Sequence, residues 1–495
     1  MTSFELWTTV AVFGPLMAAL PALGGRPYLL RVGLAFGSTS TLASSVFLWI
    51  GVATQGPGRH ALGGWGQPLG IELWVDGFAV AMLTVTAVVG ALVSLYSTAY
   101  FADLLELELE ESPGGRGARH FAPLWLLLWS ALNGIYLSAD LFNLYVTLEI
   151  LGLAAAAVVT LAVTRQATVA GMRYLIVSLT GSMLFLLGVA LLYIEYGTLS
   201  LEALSALEPT GPLPAAALAA MTVGMAAKTA LFPLHAWLPP AHSGAPAPGS
   251  ALLSAVVVKG SFFIVVRLWF GVYGGGSPEA LTLLGLLGAG AIFWGSILAL
   301  RQTSLKRLIA YSTVAQLGYL FVFFPLMITE SGEWSADAWT GGVLLALSHA
   351  LAKSAMFLAA GNMSYAVAKD SLSAISGVAH RLPMSFFAFG IGGLSLAGLP
   401  PSAGFLGKWL LLRSSLEGGH WGWAAVIGAG GLLTIAYVLL VLRYALDRKE
   451  EKESMRQVPN RMEWAALLLA LGAVILGVRA VEMVDLLLLN GAQPW

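Results

Sequence analysis

Five charged side chains stand alone inside long apolar stretches. Glu149 is the one charge between Leu141 and Val163, Lys228 between Gly211 and Leu238, and Lys259 between Ala247 and Val266. Lys353 holds the same position between Trp339 and Ala368, and Lys408 between Leu382 and Leu412. A charge at the centre of a bilayer costs about 2.5–3.5 kcal/mol on insertion scales. Five unpaired charges would cost about 15 kcal/mol, which matches the whole net stability of a domain. Charges in such places are paired or hydrated, and they mark a pathway. Lysine suits the passage of protons, because burial lowers an amine pKa and an acidic neighbour raises it. One pKa unit is about 1.4 kcal/mol, so a modest rearrangement loads or empties the group. Four lysines and one glutamate cannot all be charged cheaply, and Glu149 is expected to pair with Lys228. Histidine adds groups that titrate near neutrality. His349 lies four residues before Lys353, on one helix face. His235 lies two turns beyond Lys228, and His242 follows in the next loop. These residue types point to a proton relay through Glu149, Lys228, Lys259, His349, Lys353 and Lys408, with His235 and His242 as secondary members. Arg267, Lys306 and Arg307 stand at helix ends, where snorkelling and topology are the expected roles.

The elements that must hold these groups are membrane-spanning helices. About 20 apolar residues cross a bilayer. Stretches of that kind fall at 5–23, 30–53, 74–100, 121–138, 140–163, 168–194, 212–238, 247–271, 278–300, 305–327, 339–366, 383–411, 422–445 and 463–488. The expected fold is all-α: one polytopic transmembrane domain over residues 1–495 with about fourteen helices. Basic residues gather in the loops after odd-numbered spans, among them Arg26, Arg31, Arg116, Arg119, Arg165, Arg301, Lys369, Arg381, Arg448, Lys449 and Lys452. The loops after even-numbered spans hold Arg59 and Arg413. Odd loops are therefore expected in the cytoplasm and both termini outside, in a cell inner membrane.

Pro233 interrupts the seventh span, and Pro400 and Pro401 interrupt the twelfth. Proline removes a backbone donor and kinks a helix. In lipid, the freed carbonyls survive only inside protein or beside water. The two breaks are five spans apart, and an odd offset reverses direction through the membrane. Breaks at matching places in oppositely oriented halves are the mark of an inverted-repeat transporter. The expected repeats are helices 4–8 (121–271) and helices 9–13 (278–445).

Composition narrows the class further. The 495 residues are 58% hydrophobic and 10% charged, against about 25% charged in soluble domains. With no cysteine, the chain has no disulfide, thiolate-bound iron–sulfur cluster or covalently attached c-type haem. A net charge of −1 gives no sign of nucleic-acid binding. The first apolar segment lacks a basic flank and a cleavage site, and reads as a retained helix. Walker, dinucleotide, catalytic-triad and zinc spacings are missing. His235, His242 and His349 suit a proton path better than haem ligation. No cofactor and no metal is expected.

The run from Lys228 through Pro233, His235 and His242 to Ser254, then Val258-Lys259, resembles the proton-conducting antiporter-like membrane proteins of respiratory complex I, of Mrp-type cation/proton antiporters (their D-type component) and of membrane-bound hydrogenases. Supporting matches are Gly63-Gly-Trp65, Gly70-Ile-Glu-Leu-Trp-Val-Asp76-Gly, Asp140 to Glu149, Lys306-Arg-Leu-Ile-Ala-Tyr-Ser312, His349 to Lys353, and Leu399-Pro-Pro-Ser-Ala-Gly-Phe405 followed by Lys408. The resemblance covers roughly residues 60–415. It implies fourteen helices in two inverted repeats, a glutamate–lysine pair at Glu149 and Lys228, a central Lys259 and a terminal Lys408. The function it implies is that of the D-type component of a Mrp sodium/proton antiporter, working only among other membrane subunits. The alternatives are the proton pump of NADH–quinone oxidoreductase or a hydrogenase, without a redox centre in this chain, and a proton-driven subunit energising uptake of another solute such as inorganic carbon.

Overall fold

The computed structural model of the chain describes residues 3–66, 70–106, 113–329, 331–447 and 455–489. Arg448, Lys449 and Lys452 lie outside the described residues. Most of the described chain is helical. One short hairpin pairs Gly58–Ala61 antiparallel with Glu72–Val75. Eleven helices among the described residues are long and apolar enough to cross a membrane. They overlie the predicted spans except the fourth, seventh and twelfth. Pro113–Leu137 covers the fourth but begins with Arg116, Arg119 and His120, which dilute its apolar character. The seventh span is divided into Pro212–Thr229 and Leu238–Gly244, and the twelfth into Pro383–Ala397 and Ala403–Glu417. None of these pieces reaches the roughly 20 residues a crossing needs.

Local chemistry fixes where the helices begin. Asp76 accepts a bond from Ala79 N at 2.8 Å, and Asp140 from Phe142 N at 2.8 Å. Ser335 and Ser402 cap the helices that carry Lys353 and Lys408. Such caps satisfy amides that the helix itself leaves open.

The loops sort into two ends of the bundle. At one end Leu73 bridges Ser138, Asp140 bridges Ser200, and Arg59 pairs with Glu202 at 3.0 Å. Ser335 bonds Ser414 at 3.1 Å in the same manner. All of these follow even-numbered predicted spans. At the other end Leu372 N donates to Thr303 O, Arg456 N to Ala366 O and Lys306 Nζ to Ala245 O. These follow odd-numbered spans. Consecutive spans therefore alternate in direction.

Small residues let the helices close on one another. A Cβ on Gly224 would lie 2.3 Å from the Gly181 carbonyl oxygen, so the Lys228 helix and Arg165–Tyr196 touch backbone to backbone. The perimeter is apolar, with Ile194, Leu432 and Val481 exposed, as a surface facing lipid tails would be. The most apolar 18-residue stretches of the Lys259 helix (Ala247–Val272) and of the Lys353 helix (Ala336–Val367) are buried throughout inside the bundle.

Candidate functional site

The seventh predicted span ends as a helix at Thr229. Ala230 then takes a left-handed conformation with φ 58°, and Leu231 N donates to Ala226 O at 2.9 Å. Pro233 lies in the turn that follows. The break frees carbonyls inside the protein, and the Trp237 indole reaches back to one of them, donating to Ala227 O at 2.9 Å. Lys228 sits in the last turn of the half-helix, where carbonyl oxygens attract a cation. It is buried, and its Nζ donates to Leu148 O at 3.3 Å. Glu149, the next residue along, is close enough to act on it electrostatically. No salt bridge joins the two side chains, and Glu149 Oε1 has no bonding partner among the described residues. Lys228 bonds the Leu148 carbonyl, and Glu149 acts on the lysine from beyond bonding distance.

The twelfth span breaks in the same manner. Pro383–Ala397 ends at Gly398 with φ 87°, and Leu399 N donates to Leu394 O at 3.1 Å. Lys408, on the second half, reaches back across the break and donates to Leu396 O at 2.7 Å. Its ammonium also lies 4.0 Å from the centre of the Tyr319 ring, a favourable cation–π position.

Lys259 lies midway. Its helix carries two π-helical turns, Leu253–Val257 and Arg267–Val272, one on each side of it. Such turns gather at functional positions because they re-aim side chains. Lys259 Nζ donates to Ser254 O at 2.8 Å and shares a hydrogen bond with His349 Nδ1. A bond between two nitrogens needs one of them to be bare of a proton on that side, so the pair holds one proton between them. One turn along, Lys353 bonds the Ser312 hydroxyl and Ile309 O. His242, stacked on Phe357 at 4.7 Å, lies within the electrostatic reach of Lys259 and Lys353, and neither of its ring nitrogens has a bonding partner among the described residues. His235 stacks on Phe232 beside the first break.

Two like charges 4 Å apart repel by about 4 kcal/mol at an effective dielectric of 20. Among the described residues this cluster of amines and imidazoles has no carboxylate as a bonded partner, so charging every nitrogen at once is costly, and Lys259 and His349 share one proton in their bond. Among the described residues no three His, Asp or Glu gather closely enough to hold a metal ion.

Two sequence expectations fail here. Arg267 does not snorkel. It is buried and grips Asp76 with one hydrogen bond, Nη2 to Oδ1, and one Nη1–Oδ2 ion contact, both at 2.7 Å, with the Trp74 ring 4.4 Å away. A partner far away in sequence makes burial cheaper than reaching for the headgroups. Lys306 likewise turns inward, to Ala245 O at 2.9 Å. Arg307 is exposed, as expected.

Sequence reasoning also passed over a group of neutral side chains. Ser312, Gln316 and Tyr319 recur at helical spacing on Leu305–Val322 and meet Thr434 and Tyr437 of Trp421–Leu446. The signal was available: three polar residues on one face of an otherwise apolar helix.

Comparison with known proteins covers all of these residues. A family model described as NADH:quinone oxidoreductase/Mrp antiporter, transmembrane, matches residues 138–434. The N-type component of the NADH-quinone oxidoreductase of Desulforudis audaxviator is 33% identical, over 98% of this chain and 96% of that protein. The D-type component of the Na(+)/H(+) antiporter of Alkalihalophilus pseudofirmus is 28% identical, over 91% of this chain and 89% of its own length. A chain of the Mrp complex from Dietzia sp. shares the fold with a TM-score of 0.85, at 24% identity and over 98% and 96% of the two chains.

Proposed function

The chain belongs to the NADH:quinone oxidoreductase/Mrp antiporter transmembrane family, and we propose that it is a proton-translocating subunit of a multisubunit membrane complex. The observation that carries this reading is the bonded Lys259–His349 pair, with Lys353 one turn on, buried midway between two broken helices that each present a lysine to a carbonyl end. A proton given to Lys259, His349 or Lys353 has a bonded nitrogen or hydroxyl to go to. Glu149 and Lys228 take up the first position, Lys259, His349 and Lys353 the centre, and Lys408 the end. His242 and His235 flank the route. Moving a charge across 100 mV is worth about 2.3 kcal/mol, and short steps divide that load.

Two inverted repeats, residues 121–271 and 278–445, within one domain of fourteen crossings, would give one half-path to each side of the membrane. The matched breaks support this. Ala230-Leu231-Phe232-Pro233 and Gly398-Leu399-Pro400-Pro401 share a left-handed cap and a bond from the following leucine to the carbonyl five residues back. The segregation of basic residues to one set of loops supports an inner-membrane placement with both termini outside.

The complex is read first as a Mrp-type sodium/proton antiporter, with this chain as its D-type component, in line with the relative from A. pseudofirmus and the fold of the Dietzia chain. A second reading, a redox-driven proton pump, is favoured by the 33% identity to the oxidoreductase component of D. audaxviator. In vesicles holding the assembled complex, the first predicts proton uptake that sodium drives without any electron donor. The second predicts uptake only with a donor and an acceptor. Under either reading Lys228→Ala and Lys408→Ala abolish proton transport while assembly persists. Normal transport in both variants contradicts the proposal.

A further inference from the structure

Between Lys353 and Lys408 the two helices that line the route offer no charged residue. Leu305–Val322 has none after Arg307, and Trp421–Leu446 has none before Arg443. What lies there instead is a run of hydroxyls. Lys353 Nζ bonds Ser312 Oγ, and the Ser312 hydroxyl lies within reach of the Tyr437 hydroxyl. Tyr437 Oη donates to Thr434 Oγ1 at 3.2 Å. Thr434 in turn is within reach of the Tyr319 hydroxyl, and the Tyr319 ring carries the Lys408 ammonium. All four hydroxyl residues are buried. Gln316 Nε2 donates to both Tyr437 Oη at 3.1 Å and Thr434 Oγ1 at 3.0 Å.

We propose that the hydroxyls of Ser312, Tyr437, Thr434 and Tyr319 are the proton-transfer bridge between Lys353 and Lys408. A buried hydroxyl both accepts and donates, so it can pass a proton without holding a charge. In one transfer Ser312 Oγ takes a proton from Lys353 Nζ and gives its own to Tyr437 Oη. Tyr437 gives its own to Thr434 and Thr434 to Tyr319, and Tyr319 gives its own to Lys408 Nζ once the amine swings from the ring face, where it rests at 4.0 Å, to the hydroxyl edge. Each oxygen gains one O–H bond and loses one, so the net change is one proton moved from one amine to the other. The hydroxyls then turn back before the next proton. Gln316 acts as a positioning residue. Its amide donates to two of the oxygens and so fixes where they sit. At rest Ser312, Thr434 and Tyr319 donate to the carbonyls of Ile309, Gly430 and Ile427 at 2.8, 2.8 and 3.4 Å, and each hydroxyl turns from its carbonyl to pass the proton on. The Tyr319 ring serves separately, as the surface on which the Lys408 cation rests.

This bridge rests on the relay reading above, and the test separates the two. Complexes carrying Tyr437→Phe, Thr434→Val, Thr434→Ser, Tyr319→Phe and Lys408→Ala are assayed for proton uptake per assembled complex in membrane vesicles. The bridge predicts that Tyr437→Phe and Thr434→Val each slow uptake at least about tenfold at unchanged assembly. Thr434→Ser, which restores the hydroxyl, recovers most of the rate. Tyr319→Phe keeps the ring under Lys408, yet it too is slow, because only the oxygen is lost. Should Tyr437→Phe fail to assemble, the Val and Ser pair at Thr434 decides. Wild-type rates in Tyr437→Phe and Thr434→Val, with Lys408→Ala inactive, overturn the bridge and leave the relay standing. Wild-type rates in all of them, Lys408→Ala included, overturn the relay itself.

Discussion

Arg267 and Asp76 form a two-point ion pair, one contact a hydrogen bond, with both distances 2.7 Å and both side chains at most 3% exposed. The guanidinium is further enclosed by Trp74 at 4.4 Å and Phe263 at 4.9 Å. Removing one partner of such a pair leaves an uncompensated buried charge and costs about 3–5 kcal/mol. Arg267→Ala is therefore expected to lower stability by that amount, because the Asp76 carboxylate keeps only its bond from Ala79 N. The double variant Asp76→Asn, Arg267→Met removes both charges while Asn still caps the helix, so it should lose less than half as much. Reversible unfolding of the purified complex in graded SDS, with the amount of complex in membranes as a second readout, measures both. Arg267 lies eight residues beyond Lys259 on one helix, so loss of the pair loosens the segment that aims the central amine. A stability change for Arg267→Ala within about 0.5 kcal/mol, the range of ordinary surface substitutions, would refute the reasoning and return Arg267 to a snorkelling role.

Glu149→Gln should cut proton uptake severely yet change stability by no more than about 0.5 kcal/mol, since Lys228 is bonded to Leu148 O rather than to the carboxylate; transport and thermal melting of one preparation check this. Gly224→Val pushes a side chain into the Gly181 carbonyl and should cost about 1–3 kcal/mol, seen as a drop in assembled complex. Trp237→Phe strips the donor from Ala227 O at the first break, a loss of about 1 kcal/mol in the same unfolding assay.

The parts of this architecture readable from sequence were those written in local pattern. Apolar run length placed the spans, prolines 233, 400 and 401 placed the breaks, and isolation within an apolar run picked out Glu149 and the four lysines. What sequence could not supply was pairing across helices. Arg267 looked like a helix-end cation because Asp76 lies 191 positions away. Glu149 and Lys228 were matched as a pair, but that Lys228 bonds the Leu148 carbonyl leaves no trace in residue types. Ser312, Thr434 and Tyr437 looked ordinary because neutral hydroxyls are common in membrane helices and only their meeting gives them meaning. The count of fourteen came from hydropathy and from the resemblance, and hydropathy by itself does not distinguish a full crossing from two half-helices meeting at a break.

The central claim is that protons cross this chain through the amine–imidazole cluster at its middle. The most direct measurement is proton uptake by vesicles carrying the Lys259→Ala complex, normalised to assembled complex and set beside wild type. Lys259 bonds both its own helix, at Ser254 O, and the neighbouring helix, at His349, so no proton should pass once it is gone, although the complex still assembles. Uptake at the wild-type rate in that preparation would contradict the account.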